Sequence, residues 1–122
     1  MSSRLLIAVV DDDVSVRESL PDLLRELGFD AEAFPSADHF LKHANLRQTD
    51  CLIVDIAMPG MSGPELWGEL KARGIETPII FITAYSIEKI KLRMEPIGAM
   101  NYLLKPFSDT SLLAAINEAM KK

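Results

Sequence analysis

Six polar residues follow the apolar runs of this chain, and their side-chain types together suit phosphate chemistry. They are Asp11, Asp12, Asp13, Asp55, Thr83 and Lys105. Crowded carboxylates stay ionised only when a cation joins them, and oxygen ligands without His or Cys suit Mg²⁺. A divalent ion beside a lysine and a hydroxyl can neutralise a transferring phosphoryl group. One carboxylate can accept that group as an acyl phosphate, and we interpret Asp55 as the acceptor.

The elements that must position these residues alternate regularly between apolar runs and helical patterns. The runs that we interpret as strands are Leu5–Val10, Asp30–Phe34, Cys51–Val54, Ile79–Ile82 and Met100–Leu104. Four of them are solidly apolar, as strands buried on both faces must be, whereas Asp30–Phe34 alternates as an edge strand does. Five βα repeats predict a parallel sheet covered on both faces.

Five helices are predicted, over residues 14–27, 37–44, 64–73, 86–95 and 109–120. Ser36 and Ser108 are placed to cap two of them. Gly28 and Gly74 are placed to end two others. The stretch before Pro64 is interpreted as a loop, and Pro64 suits the first turn of the third helix.

Two prolines conflict with this helical pattern. Pro21 falls inside the first helix, where it removes a backbone donor at a cost of up to ~3 kcal/mol, so we expect a kink there. Pro96 falls near the end of the fourth helix, which we expect to terminate near Glu95.

A parallel sheet explains how residues far apart in sequence can form one site. The carboxyl ends of parallel strands lie along one edge, and ligands bind there. Each residue also has an ordinary structural role: Asp13 can cap a helix, Thr83 can bond backbone, and Lys105 can be a solvated lysine. The prediction of a phosphate site therefore depends on the whole set.

Composition limits the function classes further. The 122 residues suffice for one domain, and a net charge of −5 with a pI near 5.0 argues against direct nucleic-acid binding by this domain. No apolar run approaches the ~20 residues of a membrane span, and no secretory signal is visible, so a cytoplasmic location is expected. The single cysteine, Cys51, lies in an apolar run, and we expect it to pack rather than react.

Four motifs in order resemble the receiver domain of bacterial two-component response regulators, the CheY-like family. They are Val9–Asp13, Val54–Gly63, Ile80–Ala84 and Lys105–Phe107. The resemblance covers essentially the whole chain and implies one receiver domain over residues 1–122. It implies an α/β fold: a doubly wound (βα)5, flavodoxin-like three-layer sandwich with a parallel five-stranded sheet of order 2-1-3-4-5.

The resemblance also implies a role for each site residue. Asp55 would be the phosphoacceptor. Asp11, Asp12 and Asp55 would bind Mg²⁺ together with the backbone carbonyl of Ala57. Thr83 and Lys105 would bind the phosphoryl group, and Tyr102 would be a switch aromatic that turns inward when the Thr83 hydroxyl moves. Flanking positions, Ala57 and Tyr85, would tune the lifetime of the phosphoryl group.

The expected partner is a sensor histidine kinase, and the expected activity is limited to self-catalysed phosphorylation and dephosphorylation, as in a switch. Val16–Leu20 resembles receivers of the FixJ and NarL kind. Those usually precede a helix-turn-helix DNA-binding domain, so transcription is the expected output. These 122 residues contain no such domain, and two interpretations are open: a receiver cut from a longer regulator, which we favour, or a single-domain regulator. In the family, the fourth helix, fifth strand and fifth helix form the output face, where a phosphorylation-dependent dimer can form. The run 94–99 departs from the family pattern there because it contains Pro96.

Three other functions fit parts of the sequence. In a haloacid-dehalogenase-like phosphohydrolase Asp11 would be the nucleophile and Asp13 the acid/base, but Asp55 would be unexplained. A flavin-binding module would need a phosphate cradle where the aspartates stand. A receiver that no longer accepts phosphate would act as a constitutive interaction module.

Overall fold

One parallel sheet runs through the computed structural model, which describes residues 4–83 and 102–121. Its strands are β1 (Leu6–Val10), β2 (Asp30–Phe34), β3 (Cys51–Asp55), β4 (Ile79–Thr83) and β5 (Tyr102–Leu104). They lie in the order β2-β1-β3-β4-β5, and all four pairings are parallel. The sheet order that the resemblance implied is therefore confirmed.

Four α-helices lie within the described residues. They are α1 (Val14–Glu26), α2 (Ala37–His43), α3 (Gly63–Ala72) and α4 (Asp109–Met120). A short 3₁₀ turn at Leu46–Gln48 was not predicted. The helix expected over 86–95, its end at Glu95 and the effect of Pro96 lie outside the described residues, as does Tyr85.

The four predicted cap and stop residues of the helices are confirmed. Ser36 Oγ accepts a hydrogen bond from the first turn of α2, and Ser108 Oγ does the same for α4, both at 3.1 Å. Gly28 and Gly74 follow α1 and α3 with φ of 103° and 73°, a left-handed conformation that glycine adopts without strain. α1 continues through the buried Pro21, and the kink expected there stays a prediction.

Two strands extend one residue beyond their predicted apolar runs. β3 includes Asp55, which pairs with Ile82, and β4 includes Thr83, which pairs with Leu104. The predicted bounds were short because strand pairing uses backbone groups and continues past the last apolar side chain. Two site residues thus sit on the strands themselves, where the sheet restricts their backbones.

Alternate strand residues enter two separate cores, one on each face of the sheet. The core under α2 and α3 contains, among others, Val10, Val54, Phe40 and Leu66. The core under α1 and α4 contains, among others, Val9, Ile53, Leu24 and Leu112. Helices therefore cover both faces, and the predicted three-layer arrangement is confirmed. β2, at one edge, alternates exposed and buried residues as an edge strand should.

Cys51 is fully buried in β3. Burial raises the pKa of its thiol to about 12, so the nucleophilic thiolate is essentially absent near neutral pH. The packing role expected from the sequence agrees with this environment. Within the described residues, no helix is long and apolar enough to cross a membrane.

Candidate functional site

The polar residues singled out in the sequence meet at the carboxyl edge of the sheet. Asp11 directly follows β1, Asp55 ends β3, Thr83 ends β4 and Lys105 directly follows β5. The order of the strands places β1 and β3 side by side at the centre, with β4 next to β3. The convergence expected from a parallel sheet is therefore present.

Lys105 joins two carboxylates across this edge. Its Nζ lies 3.1 Å from Asp11 Oδ2 and 3.2 Å from Asp55 Oδ2. The side chain of Asp11 is fully buried, whereas those of Asp55 and Lys105 keep 14% and 23% of their exposure. Asp55 is consequently the carboxylate of this pair that an incoming group can reach.

Three carboxylates of the site are close enough to share one metal ion. One oxygen from each of Asp11, Asp12 and Asp55 lies within 4.8 Å of the others. Asp12 is exposed and forms the open side of the cluster. Carboxylate oxygens with access to water form the kind of ligand set that hard divalent cations prefer. The cluster can therefore bind a metal.

Asp13, the third aspartate of the run, has a different role. Its Oδ1 accepts a hydrogen bond of 2.8 Å from Ser15 N, so it is the N-cap of α1. The capping role expected for Asp13 is thus confirmed, and it leaves the other two aspartates for the site.

Burial and charge oppose each other within the cluster. Burial raises the pKa of Asp11 above its ordinary value, although the hydrogen bonds from Asp13 N and Lys105 act in the lowering direction. Burial alone would lower the pKa of Lys105, but the hydrogen bond and charge of Asp11, together with Asp55, outweigh it, so the net shift is upward. Lys105 therefore remains a cation, and it compensates negative charge that burial makes costly.

The loop that carries Asp11 is fixed from several directions. Asp11 N donates to Phe34 O at 3.1 Å, and Asp13 N donates to Asp11 Oδ1 at 2.9 Å. Arg17 Nη1 donates to Asp11 O at 3.0 Å from the second turn of α1. The sequence did not predict that Arg17 holds the Asp11 carbonyl, because a single arginine on a helix does not indicate which carbonyl its side chain will contact.

The loop after β3 is equally constrained. Ala57 N donates to Asp55 Oδ1 at 3.0 Å, which orients the carboxylate. Ser62 and Glu65 form a reciprocal capping box at the start of α3, so the helix begins at Gly63 and not at Pro64 as predicted. The Ser-x-x-Glu signal was present in the sequence and was missed. The Ala57 carbonyl as a metal ligand stays a prediction.

Gly63 allows α3 to approach the site closely. A Cβ at this position would lie 2.7 Å from Asp55 O and 3.1 Å from Ile56 Cα, both backbone atoms. Gly63 N also donates to Ile56 O at 3.1 Å. The absence of a side chain here is what lets the helix start lie against the strand end that carries Asp55.

We expect Gly63→Ala to destabilise the protein by about 1–3 kcal/mol, because the added methyl group must displace the Asp55 backbone. Gly68→Ala in the same helix is the matched control, since its Cβ would meet nothing within 4 Å and should increase helix stability by up to about 1 kcal/mol. Urea unfolding of both variants measures the difference. Equal free energies of unfolding for the two variants would contradict the close-approach argument.

Thr83 ends β4, and Tyr102 begins β5, where it pairs with Phe81. Thr83 is buried, and its carbonyl accepts a hydrogen bond of 2.7 Å from Lys105 N, just before a cis bond between Lys105 and Pro106. Tyr102 is half-buried and packs against the core under α2 and α3. Both residues are thus positioned by the strands that also position Lys105.

Comparison with known families agrees with this geometry. The family model described as the response regulator receiver domain matches residues 7–117. This chain belongs to the response regulator receiver family. The fold and the family expected from the four motifs are both confirmed.

Known relatives of this receiver domain are similar along nearly its whole length. It is 39% identical over 122 residues to the response regulator protein TodT of Pseudomonas putida, covering 99% of this chain and 54% of that protein. The structure of the response regulator StyR matches with 44% identity and a TM-score of 0.85, covering 97% of this chain and 60% of that one. FixJ-N matches with 34% identity and a TM-score of 0.85, covering 98% and 95%. The chain spans about half the length of the curated relatives it matches.

The interpretation as a haloacid-dehalogenase-like phosphohydrolase with Asp11 as nucleophile is wrong. The receiver family accounts for residues 7–117, including Asp55 and the loop after it. The physical reason is visible at Asp11, which is fully buried and accepts hydrogen bonds on both oxygens, from Asp13 N and from Lys105 Nζ. Asp55 also accepts hydrogen bonds on both oxygens, from Ala57 N and from Lys105 Nζ, but its side chain keeps 14% of its exposure. Burial therefore separates the two carboxylates, and Asp55 is the one that a phosphorus atom can reach.

Proposed function

We propose that this receiver domain accepts a phosphoryl group on Asp55 from a sensor histidine kinase, in a Mg²⁺-dependent reaction. The observation that supports the proposal best is the position of Asp55. Its carboxylate is partly exposed, lies 3.2 Å from the Lys105 ammonium and shares an acidic cluster with Asp11 and Asp12. A nucleophilic oxygen, a cation and a metal-ligand set thus surround one accessible point.

The ligand set fits Mg²⁺. Asp11, Asp12 and Asp55 supply hard carboxylate oxygens, and the exposed Asp12 leaves room for the waters that Mg²⁺ retains. We assign these three residues, with the Ala57 carbonyl, as the ligands. When bound, the ion would neutralise charge on the phosphoryl oxygens.

The residues of the chain divide the chemistry among them. A carboxylate oxygen of Asp55 attacks phosphorus, the bond from phosphorus to the donor imidazole nitrogen breaks, and the imidazole leaves with the electron pair. Lys105, already 3.2 Å from Asp55, moves its ion pair to a phosphoryl oxygen, and the Thr83 hydroxyl donates to another. In a separate second step, water attacks the same phosphorus, the bond from phosphorus to the Asp55 oxygen breaks, and inorganic phosphate leaves with the carboxylate of Asp55 restored. The chain itself carries both steps, so it is a self-catalysing switch with one acceptor.

Switching would use Thr83 and Tyr102. Phosphorylation draws the Thr83 hydroxyl toward Asp55 and shifts the population toward conformers in which the half-buried Tyr102 ring turns inward. Solvent accessibility of Tyr102, measured by fluorine NMR on fluorotyrosine-labelled protein, should fall on phosphorylation. Equal accessibility in both states would remove Tyr102 from the switch.

An apolar surface beside the site supports docking of a protein donor. An open depression of about 500 Å³ is lined by Val16, Lys105, Pro106 and Phe107. Val14, at the start of α1, keeps 55% of its exposure. An exposed apolar surface next to a reactive group is characteristic of an interaction site.

We expect Val14→Asp to reduce the rate of phosphotransfer from a sensor kinase about fivefold or more, the effect of losing about 1 kcal/mol at an interface. Phosphorylation by acetyl phosphate should be unchanged, because that donor needs no docking surface. Leu5→Asp is the matched control. Leu5 is 37% exposed but precedes β1, so it lies at the amino ends of the strands, away from the carboxyl ends that carry the site. Equal loss with both donors would show that Val14 acts on the site itself.

The output of the switch is proposed to be transcription, and the location cytoplasmic. Several relatives are named transcriptional regulatory proteins, and this chain covers 57% of one of them, FixJ of Azorhizobium caulinodans. We propose that residues 1–122 act as the receiver unit of such a regulator, with DNA binding supplied by a further domain. Leu104 on the edge strand β5 is 42% exposed, which supports a phosphorylation-dependent dimer through the output face.

Incubation with acetyl phosphate and Mg²⁺ tests the central proposal. Mass spectrometry should show a gain of one phosphoryl group, and borohydride reduction should convert the modified residue to homoserine at Asp55. Peptide mapping then identifies the position. A modification mapped to Asp11 or Asp12, or no modification at all, would overturn the assignment.

A further inference from the structure

Helix α2 carries both histidines of the chain, one helical turn apart. His39 and His43 are exposed, and their ring centroids lie 4.3 Å apart with an interplanar angle of 37°. Residues at i and i+4 of a helix project from the same face. Neither ring belongs to the acidic cluster, so the pair is a separate group of ligand atoms.

The surroundings of the pair restrict one of the two rings. His39 N is hydrogen-bonded to the capping Ser36 Oγ, and the His39 ring lies 6.0 Å from the ring of Phe34. Phe34 in turn packs edge-to-face on the buried Phe40, at 5.3 Å. The His39 ring thus packs near two aromatic side chains of the core, and the His43 ring packs against the His39 ring. Preorganised ligands lose less conformational entropy when they bind.

We propose that His39 and His43 chelate a late first-row divalent transition metal through one imidazole nitrogen each, with water completing the coordination. Imidazole is a ligand of Cu²⁺, Ni²⁺ and Zn²⁺, and affinity follows the order that places Cu²⁺ highest. Two histidines at i and i+4 on one helix face form the ligand pair of helical zinc sites. The hard oxygen cluster around Asp55 prefers Mg²⁺, so the two sites differ in the ions they select. This site is independent of the proposed phosphorylation.

The rings must turn their nitrogen edges toward a common ion, and their position permits it. Both side chains are exposed, and the contacts of the two rings among the described residues are aromatic ones, with Phe34 and with each other, which allow rotation about the side-chain bonds. The 4.3 Å contact shows that the two rings already occupy one small region of the surface.

Titration of the full chain with Cu²⁺ tests the proposal, in excess Mg²⁺ to occupy the acidic cluster. Isothermal titration calorimetry should give one site, and electron paramagnetic resonance should show two nitrogen ligands. In His39→Gln and in His43→Gln, affinity should fall about tenfold or more, because a single imidazole lacks the second, linked ligand. The signal should then show one nitrogen at most.

Lys42→Gln is the matched control on the same helix and should bind Cu²⁺ like the wild type. Circular dichroism and thermal unfolding establish that each variant is folded, and acetyl phosphate labelling of Asp55 should be unchanged in all of them. Undiminished affinity in the His39→Gln, His43→Gln double variant would overturn the proposal, and so would a wild-type signal with oxygen ligands only.

Discussion

Asp55→Asn is expected to remove the phosphoryl mass gain on incubation with acetyl phosphate and Mg²⁺ completely. The amide nitrogen and oxygen of Asn are poor nucleophiles toward phosphorus, and no other carboxylate of the cluster combines access with proximity to Lys105. Asp11 is fully buried, whereas Asp55 keeps 14% of its side-chain exposure. We also expect weaker Mg²⁺ binding, because one of three carboxylates is lost. Mass spectrometry and calorimetric Mg²⁺ titration measure the two effects.

Asp30→Asn provides the control. Asp30 is an exposed aspartate at the start of β2, so it lies at the amino ends of the strands, whereas the site lies at their carboxyl ends. It should label like the wild type. Retained labelling of Asp55→Asn would contradict the assignment of the acceptor. Absence of labelling in the wild type, with intact Mg²⁺ binding, would favour the alternative of a receiver that acts as a constitutive interaction module.

The sequence was sufficient for much of this architecture because its signals were local and consistent. Solid apolar runs predicted the central strands, and the alternating run Asp30–Phe34 predicted the edge position of β2. Strand order could not be obtained from periodicity, since β2-β1-β3-β4-β5 depends on how helices cross the sheet. The resemblance supplied that order, through four motifs and not through physical derivation.

Apart from the capping box of Ser62 and Glu65, which is a local signal that was overlooked, the missed details of the site depend on the approach of one segment to another. Arg17 reaches the Asp11 carbonyl only because α1 packs beside β1, and Gly63 matters only because α3 begins against Asp55. The capping role of Asp13 could be predicted, because its position just before a helix is a local feature of the sequence. Contacts between segments need the tertiary structure, whereas caps and stops do not.

Stability and function conflict at the centre of the site. Asp11 is fully buried, and burial raises its pKa, so the ionised form that a metal ligand requires is disfavoured in the folded protein. Lys105 partly offsets that cost in the absence of a divalent ion, and it is also the residue assigned to the phosphoryl group. A variant at Lys105 should therefore change both chemistry and pH-dependent stability.

We expect Lys105→Met to slow phosphorylation by acetyl phosphate about 100-fold, the usual effect of removing one preorganised donor from a developing charge. Met preserves most of the length of the side chain and removes only the cation. Rates from mass spectrometry at saturating Mg²⁺ measure the effect, so that altered metal affinity does not enter. Lys121→Met is the control, because Lys121 is exposed and its Nζ pairs with the exposed Glu118, at 3.7 Å. A rate equal to that of the wild type would separate Lys105 from the chemistry.

The same variant should change how stability depends on pH. Asp11 has a raised pKa in the folded protein, so between the ordinary carboxyl pKa of 3.8 and the folded pKa it holds a proton that the unfolded chain has lost. The free energy of unfolding therefore falls as pH rises through that interval. Without Lys105 the pKa of Asp11 should rise further, because that residue acts to lower it, and the fall should extend to higher pH. On the alkaline side, the wild type should lose stability as pH rises through the raised pKa of Lys105, and the variant should not.

Urea unfolding in the absence of divalent ions, from about pH 4 to about pH 9, measures the acid-side difference. Mg²⁺ should then stabilise Lys105→Met more than the wild type, because the ion would compensate carboxylates that have lost their ammonium partner. Parallel pH profiles for the two proteins would show that Lys105 does not govern the ionisation of Asp11. Such a result would leave burial, together with the charge of Asp55, as the cause of the raised pKa of Asp11. The ion pair would then contribute to phosphoryl transfer without contributing to folding.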